Sequence, residues 1–477
     1  MGRKRKVIHL EGIELTRAGA KGKSIGHTED GRVVMVAGAV PGDVVDIRVT
    51  KKKKSYLEGV PTEFKTLSPD RVEPKCEHFG VCGGCKWQNV DYTKQLEYKQ
   101  SEVENNLKRI GHVEVENLLP IEPSQDIYHY RNKLEFTFSN QKWLTEEEVK
   151  SDEEFDRNGL GFHKPGMWDK VIDIDNCYLQ PEPSNSIRNF VKQYALENKL
   201  PFFNLRAQEG LLRTLMIRTA ISGEIMVLFQ FFENDAEAIN GLLSAVMEKF
   251  PEITSCQYVI NPKGNDTIYD LETIVFSGRD HIVEEMPSIF ENTAPLRFKV
   301  GPKSFYQTNP KQAHTLYAKA LEMAGIEGGE NIYDLYTGTG TIACFLAQKA
   351  GKVIGVESVP EAIEDAHYNA EQNGLTNVDF EVGDMKDVFT EDFISRHGKP
   401  DIIVTDPPRD GMHKDVVEQL RNLKTPKIVY ISCNSATQAR DLELLKDLYD
   451  VKTSLAVDMF PHTHHIENIC VLEWKNS

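Results

Sequence analysis

Two short runs near the end of the chain put reactive side chains where chemistry could use them. Ile431-Ser432-Cys433-Asn434 closes an apolar run with a thiol, and His464-His465-Ile466-Glu467-Asn468 leads into another with a carboxylate. A thiolate can add to an electron-poor ring carbon and later leave, while a carboxylate takes the proton displaced in between. Cys433 is therefore the candidate nucleophile and Glu467 the candidate base. A lone cysteine is more often a small buried hydrophobe, the reading assigned to Cys344 and Cys470 on their apolar runs; Cys256 receives no role. Sequence offers no cation that would lower the Cys433 pKa.

A second set reads as a cofactor site. Asn331 to Thr341 passes from an apolar strand through Thr337-Gly338-Thr339-Gly340 into a helix, and glycines there let a ligand approach the backbone. Gly338, Gly340 and Ala343 also satisfy G-x-G-x-x-A, so the loop leaves nicotinamide and S-adenosylmethionine cofactors open. Glu357 closes the next strand, 19 positions after Gly338, where it can accept hydrogen bonds from ribose hydroxyls of either cofactor. The next strand ends favour the methyl donor. They deliver Asp406-Pro407-Pro408-Arg409 and Ser432-Cys433-Asn434, which have no evident task in hydride transfer. Asp406 would otherwise be a turn opener before two prolines. Asp384, after Phe380-Glu381-Val382-Gly383, is placed to meet an adenine or to cap a helix.

The elements that must position these residues divide by their rhythm. At 477 residues the chain suggests about three domains. Residues 1–65 read as a small OB-like β-barrel, with β-like runs Val33–Val36 and Val44–Val49 around Pro41-Gly42-Asp43. Residues 66–290 hold a cysteine motif, a helix at 92–110 and an α+β central domain. The helix carries Leu96, Val103, Leu107 and Ile110 as an expected core stripe and is expected to pack on the catalytic domain. Residues 291–477 alternate strand, loop and helix from Asn331 onward, as in a doubly wound parallel sheet, so the fold class is α/β with a Rossmann-like C-terminal domain. Residues 1–60 carry 13 Lys or Arg against 7 Asp or Glu, whereas the chain's net charge is −17. That excludes an indiscriminate polyanion binder and leaves the basic end, with Met1-Gly2-Arg3-Lys4-Arg5-Lys6 and Lys51–Lys54, to grip phosphate. No apolar stretch approaches a membrane span and no secretory leader follows Met1, so a cytoplasmic protein without membrane contact is expected.

Cys76, Cys82 and Cys85, with the distant Cys177, offer four thiolates in a chain of eight cysteines. In the cytoplasm these read as a metal site rather than disulfides; spacing alone leaves zinc and a [4Fe-4S] cluster open. His462, His464 and His465, on one short loop without a paired cysteine or carboxylate, make a poor metal site and are expected to position the loop carrying Glu467.

Five landmarks in order make the chain resemble the RNA 5-methyluridine methyltransferase family, in its branch acting on 23S ribosomal RNA. They are Phe305-Tyr306-Gln307-Thr308-Asn309, Asp334 to Gly340, Asp406-Pro407-Pro408-Arg409, Ser432-Cys433-Asn434, and Phe460-Pro461-His462-Thr463 leading to Glu467. The barrel resembles a TRAM domain through Gly22-Lys23-Ser24-Ile25-Gly26 and Val40-Pro41-Gly42-Asp43. The resemblance implies that Gln307, Tyr336, Thr341, Glu357, Asp384 and Asp406 contact S-adenosylmethionine or its surroundings. It implies Cys433 as nucleophile toward uracil C6 and Glu467 as acceptor of the C5 proton. It also implies a [4Fe-4S] cluster on Cys76, Cys82, Cys85 and Cys177, an RNA partner, most specifically 23S rRNA, and a monomeric enzyme. Competing readings are a tRNA uridine methyltransferase, methylation of another acceptor atom, and an RNA-binding assembly factor with a vestigial pocket.

Overall fold

The computed structural model describes residues 8–475, so the basic leader Met1 to Lys6 lies outside the described residues. The chain forms two compact units. One comprises Met1–Gly80, Gly84–Ile127 and Asp406–Ser477; the other comprises Val81–Gly83 and Tyr128–Thr405.

The first unit opens with a closed five-stranded barrel formed by His9–Gly19, Lys23–His27, Val33–Val36, Val44–Lys52 and Tyr56–Thr66. Alternate side chains point inward, burying Ile13, Leu15, Val34, Val36, Val45, Ile47 and Leu57. The interior is tight enough that a Cβ on Gly59 would lie 2.3 Å from Ile47 Cγ2. The turn Val40-Pro41-Gly42-Asp43 is locked by its own carboxylate. Buried Asp43 accepts from the amides of Val40 at 2.7 Å and Ser68 at 2.9 Å, and pairs with Arg71 through two contacts of 2.8 and 2.6 Å. Burial opposes that charge, yet Arg71 and the amides hold the carboxyl below its ordinary value.

Asp91 caps the helix Tyr92–Asn106, which continues through a wide turn, Leu107–Gly111. The structure corrects the expected apolar stripe. Val103 and Leu107 are buried, but Leu96 is half-buried and Ile110 is exposed. The wide turn carries residues beyond Leu107 off the 3.6-residue period. The other buried positions at helical spacing, Gln95 and Lys99, are polar. The helix packs on Ser435–Leu445 and on the strand Tyr449–Val457. The strands of this unit run in the order Lys427–Ser432, Glu467–Trp474, Tyr449–Val457, Val115–Glu122. The first two pairings are antiparallel and the last is parallel. The parallel alternation expected from Asn331 onward thus stops here, because a loop rather than a helix joins Tyr449–Val457 to Glu467–Trp474.

The second unit contains the parallel run Val378–Val382, Lys352–Glu357, Asn331–Leu335, Ile402–Thr405. The helices Thr341–Ala347 and Pro360–Gln372 lie in its crossovers. Because all four strands point the same way, their carboxyl ends share one edge. The unit also holds a mixed seven-stranded sheet in which Leu212–Thr219 and Ile225–Phe231 are buried at every position. The helices Ser184–Glu197 and Ala236–Lys249 cover it, contributing Ile187, Val191, Leu242 and Leu243 to its core. Among the described residues no helix is long and apolar enough to cross a membrane.

Candidate active site

Strand register brings the thiol and the carboxylate together. Lys427–Ser432 pairs antiparallel with Glu467–Trp474, and the ladder ends with Ser432 opposite Asn468. Cys433 follows the end of the first strand and Glu467 opens the second, and the Glu467 charge reaches the Cys433 thiol. The strand end is fixed by Asn468, whose Oδ1 accepts from Ser454 at 3.1 Å and whose Nδ2 donates to Gln438 at 2.7 Å.

Cys433 occupies the junction between its strand and the helix Ser435–Leu445, capped by Asn434, which accepts from the Ala436 amide at 3.1 Å. A thiolate gains from the positive helix end. Asn434 Nδ2 and Thr437 Oγ1 also donate to the Arg409 carbonyl at 2.9 and 3.1 Å, anchoring the Asp406-Pro407-Pro408-Arg409 turn beside the thiol. Burial pushes the Cys433 thiol up to about 11; Glu467 and Asp406 add to the rise, while the charge and hydrogen bond of Arg409 oppose it. Burial raises the Glu467 carboxyl well above its ordinary range, with Asp406 adding and Arg409 opposing. Burial likewise raises Asp406, which keeps only partial surface access. Asp406, Cys433 and Glu467 thus form one electrostatic group whose cation is Arg409. Arg409 enters the sequence reading only as a motif member. Its place in the motif is visible, but its approach to a thiol 24 positions later depends on the fold.

The glycine loop is built by backbone conformation. Tyr336, Gly338 and Gly340 all have left-handed φ, at +64°, +55° and +78°. A Cβ on Gly340 would lie 2.8 Å from Phe380 Cζ and 2.9 Å from Ala366 Cβ, whereas at Gly338 it would meet open space. Gly338 therefore leaves its backbone open to a ligand. Its amide donates to Glu357 Oε2 at 3.2 Å, and Glu357 Oε1 accepts from the Ser358 amide, the Ser358 hydroxyl and the Val359 amide at 2.7, 3.0 and 3.1 Å. The carboxylate is thereby oriented at the strand end. Thr341 begins the following helix, its hydroxyl 3.5 Å from that of Thr339.

Val382 pairs with Glu357, so Asp384, two residues on, belongs to the same carboxyl edge. Exposed Asp384 accepts from the Lys386 amide at 3.2 Å and pairs with its ammonium at 3.0 Å. It caps a turn, and Thr390 is the N-cap of the next helix, Glu391–His397. Gln307 lies outside the sheet, before the helix Pro310–Ala324, and its carbonyl accepts from Asn132 Nδ2 at 3.3 Å.

Among the other cysteines, Cys76 and Cys85 share Gln88, which accepts from the Cys76 amide at 3.1 Å and donates to Cys85 Sγ at 3.2 Å. Cys82 and Cys177 fall in the second unit. The Cys177 amide donates to Asn185 at 2.9 Å, and burial raises its thiol against the pull of Arg188 and Arg131. Cys256, Cys344 and Cys470 are buried, and burial pushes each thiol up to about 12, as befits inert core residues. His462 and His464 are each pushed down to about 4, chiefly by burial, and so stay neutral near neutral pH.

Comparison with known proteins bears on this constellation. The family described as tRNA (uracil-5-)-methyltransferase matches residues 271–475, and the TRAM domain matches residues 12–62. A protein of Bacteroides thetaiotaomicron named as an uncharacterized RNA methyltransferase is 54% identical, with 96% of this chain and 100% of the relative covered. One of the same name from Porphyromonas gingivalis is 51% identical, over 96% of this chain and 99% of the relative. Among solved structures, the Pyrococcus abyssi tRNA (uracil-54, C5)-methyltransferase in complex with S-adenosyl-L-homocysteine superposes with a TM-score of 0.72. It is 29% identical, over 96% of this chain and 100% of that chain.

Proposed function

Because the chain belongs to the S-adenosylmethionine-dependent RNA uracil-5 methyltransferase family, we propose that Cys433 and Glu467 carry out methyl transfer to C5 of a uridine. C5 of uracil is too weak a nucleophile to take a methyl group unaided. Addition of the Cys433 thiolate to C6 generates an enolate, and C5 then attacks the sulfonium methyl of S-adenosylmethionine, whose methyl–sulfur bond breaks to release S-adenosylhomocysteine. Glu467 removes the C5 proton; that electron pair forms the C5–C6 double bond, the C6–S bond breaks, and the thiolate is regenerated. The observation that carries this reading is the antiparallel register that sets Cys433 beside Glu467. Burial raises both groups, so Arg409 and the helix end are the features that favour the thiolate when a base enters.

For the cofactor we assign the glycine-loop backbone, Tyr336, Thr341 and Gln307 to its immediate surroundings, Glu357 to the ribose, Asp384 to the adenine side, and Asp406 to the end nearest the reacting methyl. The segments 1–65, 66–290 and 291–477 are assigned to RNA binding, to the cysteine motif with the α+β region, and to methyl transfer. Cys76, Cys82, Cys85 and Cys177 would hold a [4Fe-4S] cluster; Gln88 suits such a group because its amide donates to a cysteine sulfur. The cluster would supply a structural cross-link between loops.

The substrate reading is 23S rRNA, supported by the cysteine motif that the family's rRNA branch carries. A tRNA substrate is the second reading, favoured by the Pyrococcus enzyme, a tRNA (uracil-54, C5)-methyltransferase that matches over 96% of this chain. RNA helices hide base edges, so either substrate must present its uridine in a loop or flipped from the stack. Mapping 5-methyluridine in rRNA and tRNA from a strain lacking this gene separates the two. Loss from 23S rRNA alone supports the first, and loss from tRNA alone overturns it.

A further inference from the structure

The loop between Val457 and Glu467 is gripped from one side by the helix Tyr92–Asn106 and the segment just before it. Lys99 and Asp458 are both fully buried and form an ion pair at 2.5 Å; Lys99 also donates to the Phe460 carbonyl at 3.1 Å. The second carboxylate oxygen of Asp458 accepts from the Tyr92 hydroxyl at 2.9 Å, and the first accepts from the Phe460 amide at 3.1 Å. One helical turn away, Gln95 accepts from the His462 amide at 2.8 Å and its side-chain nitrogen lies 3.2 Å from His462 Nδ1. Gln95 also donates to the carbonyls of Trp87 and Val90 at 3.0 and 2.9 Å. The amides of Lys86 and Trp87 both donate to the His462 carbonyl, at 2.7 and 3.0 Å. These contacts hold His462 in a left-handed conformation, φ +64°, five residues before Glu467.

A buried ion pair is a poor way to stabilise a fold, since apolar residues of similar volume usually serve as well or better. What it does supply is a fixed position for each partner. Asp458 and His462 are the first and middle points of the loop that delivers Glu467, and both are clamped by side chains more than 350 positions earlier in the chain. We propose that Lys99, Gln95 and Tyr92 are positioning residues for Glu467, setting the carboxylate for removal of the C5 proton from the methylated, Cys433-bound uracil. This rests on the assignment of Glu467 as the base.

The consequence is specific to one step. With the carboxylate displaced, addition of Cys433 and methyl transfer still proceed, but the C5 proton stays, the C6–S bond cannot break, and a methylated protein–RNA adduct persists. A misplacement on the order of 1 Å can slow such a step about a hundredfold. The test incubates full-length enzyme with substrate RNA containing ordinary uridine and S-adenosylmethionine carrying a labelled methyl group. The denaturation-resistant adduct that carries label is then measured for wild type, Lys99→Met, Tyr92→Phe and Glu467→Gln. Glu467→Gln is expected to trap the adduct. Lys99→Met is expected to raise the trapped fraction at least about tenfold over wild type, with a smaller rise for Tyr92→Phe, which removes a single hydrogen bond. Trapping by Glu467→Gln, with slow turnover and no trapping in Lys99→Met and Tyr92→Phe, overturns the positioning role and leaves the base assignment standing. Absence of trapping in Glu467→Gln overturns the base assignment itself. Should Lys99→Met fail to fold, Tyr92→Phe decides.

Discussion

Replacing Arg409 with Met should weaken the nucleophile without dismantling the loop that carries it. Arg409 is the cation that opposes the rise of the Cys433 thiol, through both charge and hydrogen bond. Its carbonyl, not its side chain, is what Asn434 and Thr437 hold, so the turn survives the substitution. A hydrogen bond to a charged group contributes about 1.5–3 kcal/mol. Arg409 is exposed, and solvent screening places its effect near the bottom of that range. One pKa unit corresponds to about 1.4 kcal/mol, so the thiol should rise by about one unit and the thiolate fraction below that pKa should fall about tenfold. The assay is single-turnover methyl transfer at saturating RNA, measured from about pH 6.5 to 9.5. Saturation removes any contribution of Arg409 to RNA affinity, and the transferred methyl reports steps before Glu467 acts. The expected result is a rate about tenfold below wild type across this range, both rising with pH because the range lies below the thiol's pKa, with Arg409→Lys intermediate because it keeps charge but not the guanidinium fork. A rate and pH profile matching wild type would refute the assignment of Arg409 as the activating cation.

Gly340→Ala adds a Cβ 2.8 Å from Phe380 at a left-handed position, which should cost about 1–3 kcal/mol and appear as a lower Tm and weaker S-adenosylhomocysteine binding by calorimetry. Glu357→Ala removes the acceptor of the Gly338 amide, the group proposed to hold the ribose; cofactor affinity should drop about tenfold or more, and unchanged affinity would remove Glu357 from the site. Asp43→Asn breaks the buried pair with Arg71 and should destabilise the barrel by about 2–4 kcal/mol in denaturant at neutral pH. The sign follows from the lowered Asp43 carboxyl: its contribution is present above the ordinary value of 3.8 and is lost as pH falls through the lower folded value. The gap between wild type and Asp43→Asn should therefore narrow in strong acid, and a gap independent of pH would contradict this.

How much was legible in the chain differs from element to element. The barrel strands Val33–Val36 and Val44–Lys52 show in their apolar runs, because alternation reports directly on which side chains face a core. The parallel run from Asn331 to Glu357 shows in the strand, loop and helix rhythm, and Gly340 is required by both its conformation and its neighbours. The approach of Cys433 to Glu467 is hidden, since it depends on the register of two antiparallel strands where alternation suggested only parallel ones. Spacing also failed on the helix Tyr92–Asn106. There an apolar stripe looked like the buried face, whereas Gln95 and Lys99 are buried because their partners, His462 and Asp458, arrive from the far end of the chain. Arg409 is legible as a motif member and illegible as a cation, because its charge matters only through a thiol brought beside it by folding.

The account stands on Cys433 as the atom that bonds to uracil. Substrate RNA carrying 5-fluorouridine tests this most directly, because fluorine at C5 cannot leave as a proton does and the adduct is held at the enzyme. Wild-type enzyme with S-adenosylmethionine is predicted to form a denaturation-resistant adduct whose RNA mass maps by peptide sequencing to Cys433, and Cys433→Ala to form none and transfer no methyl group to uridine. An adduct on another residue, or normal 5-methyluridine formation by Cys433→Ala, would contradict it.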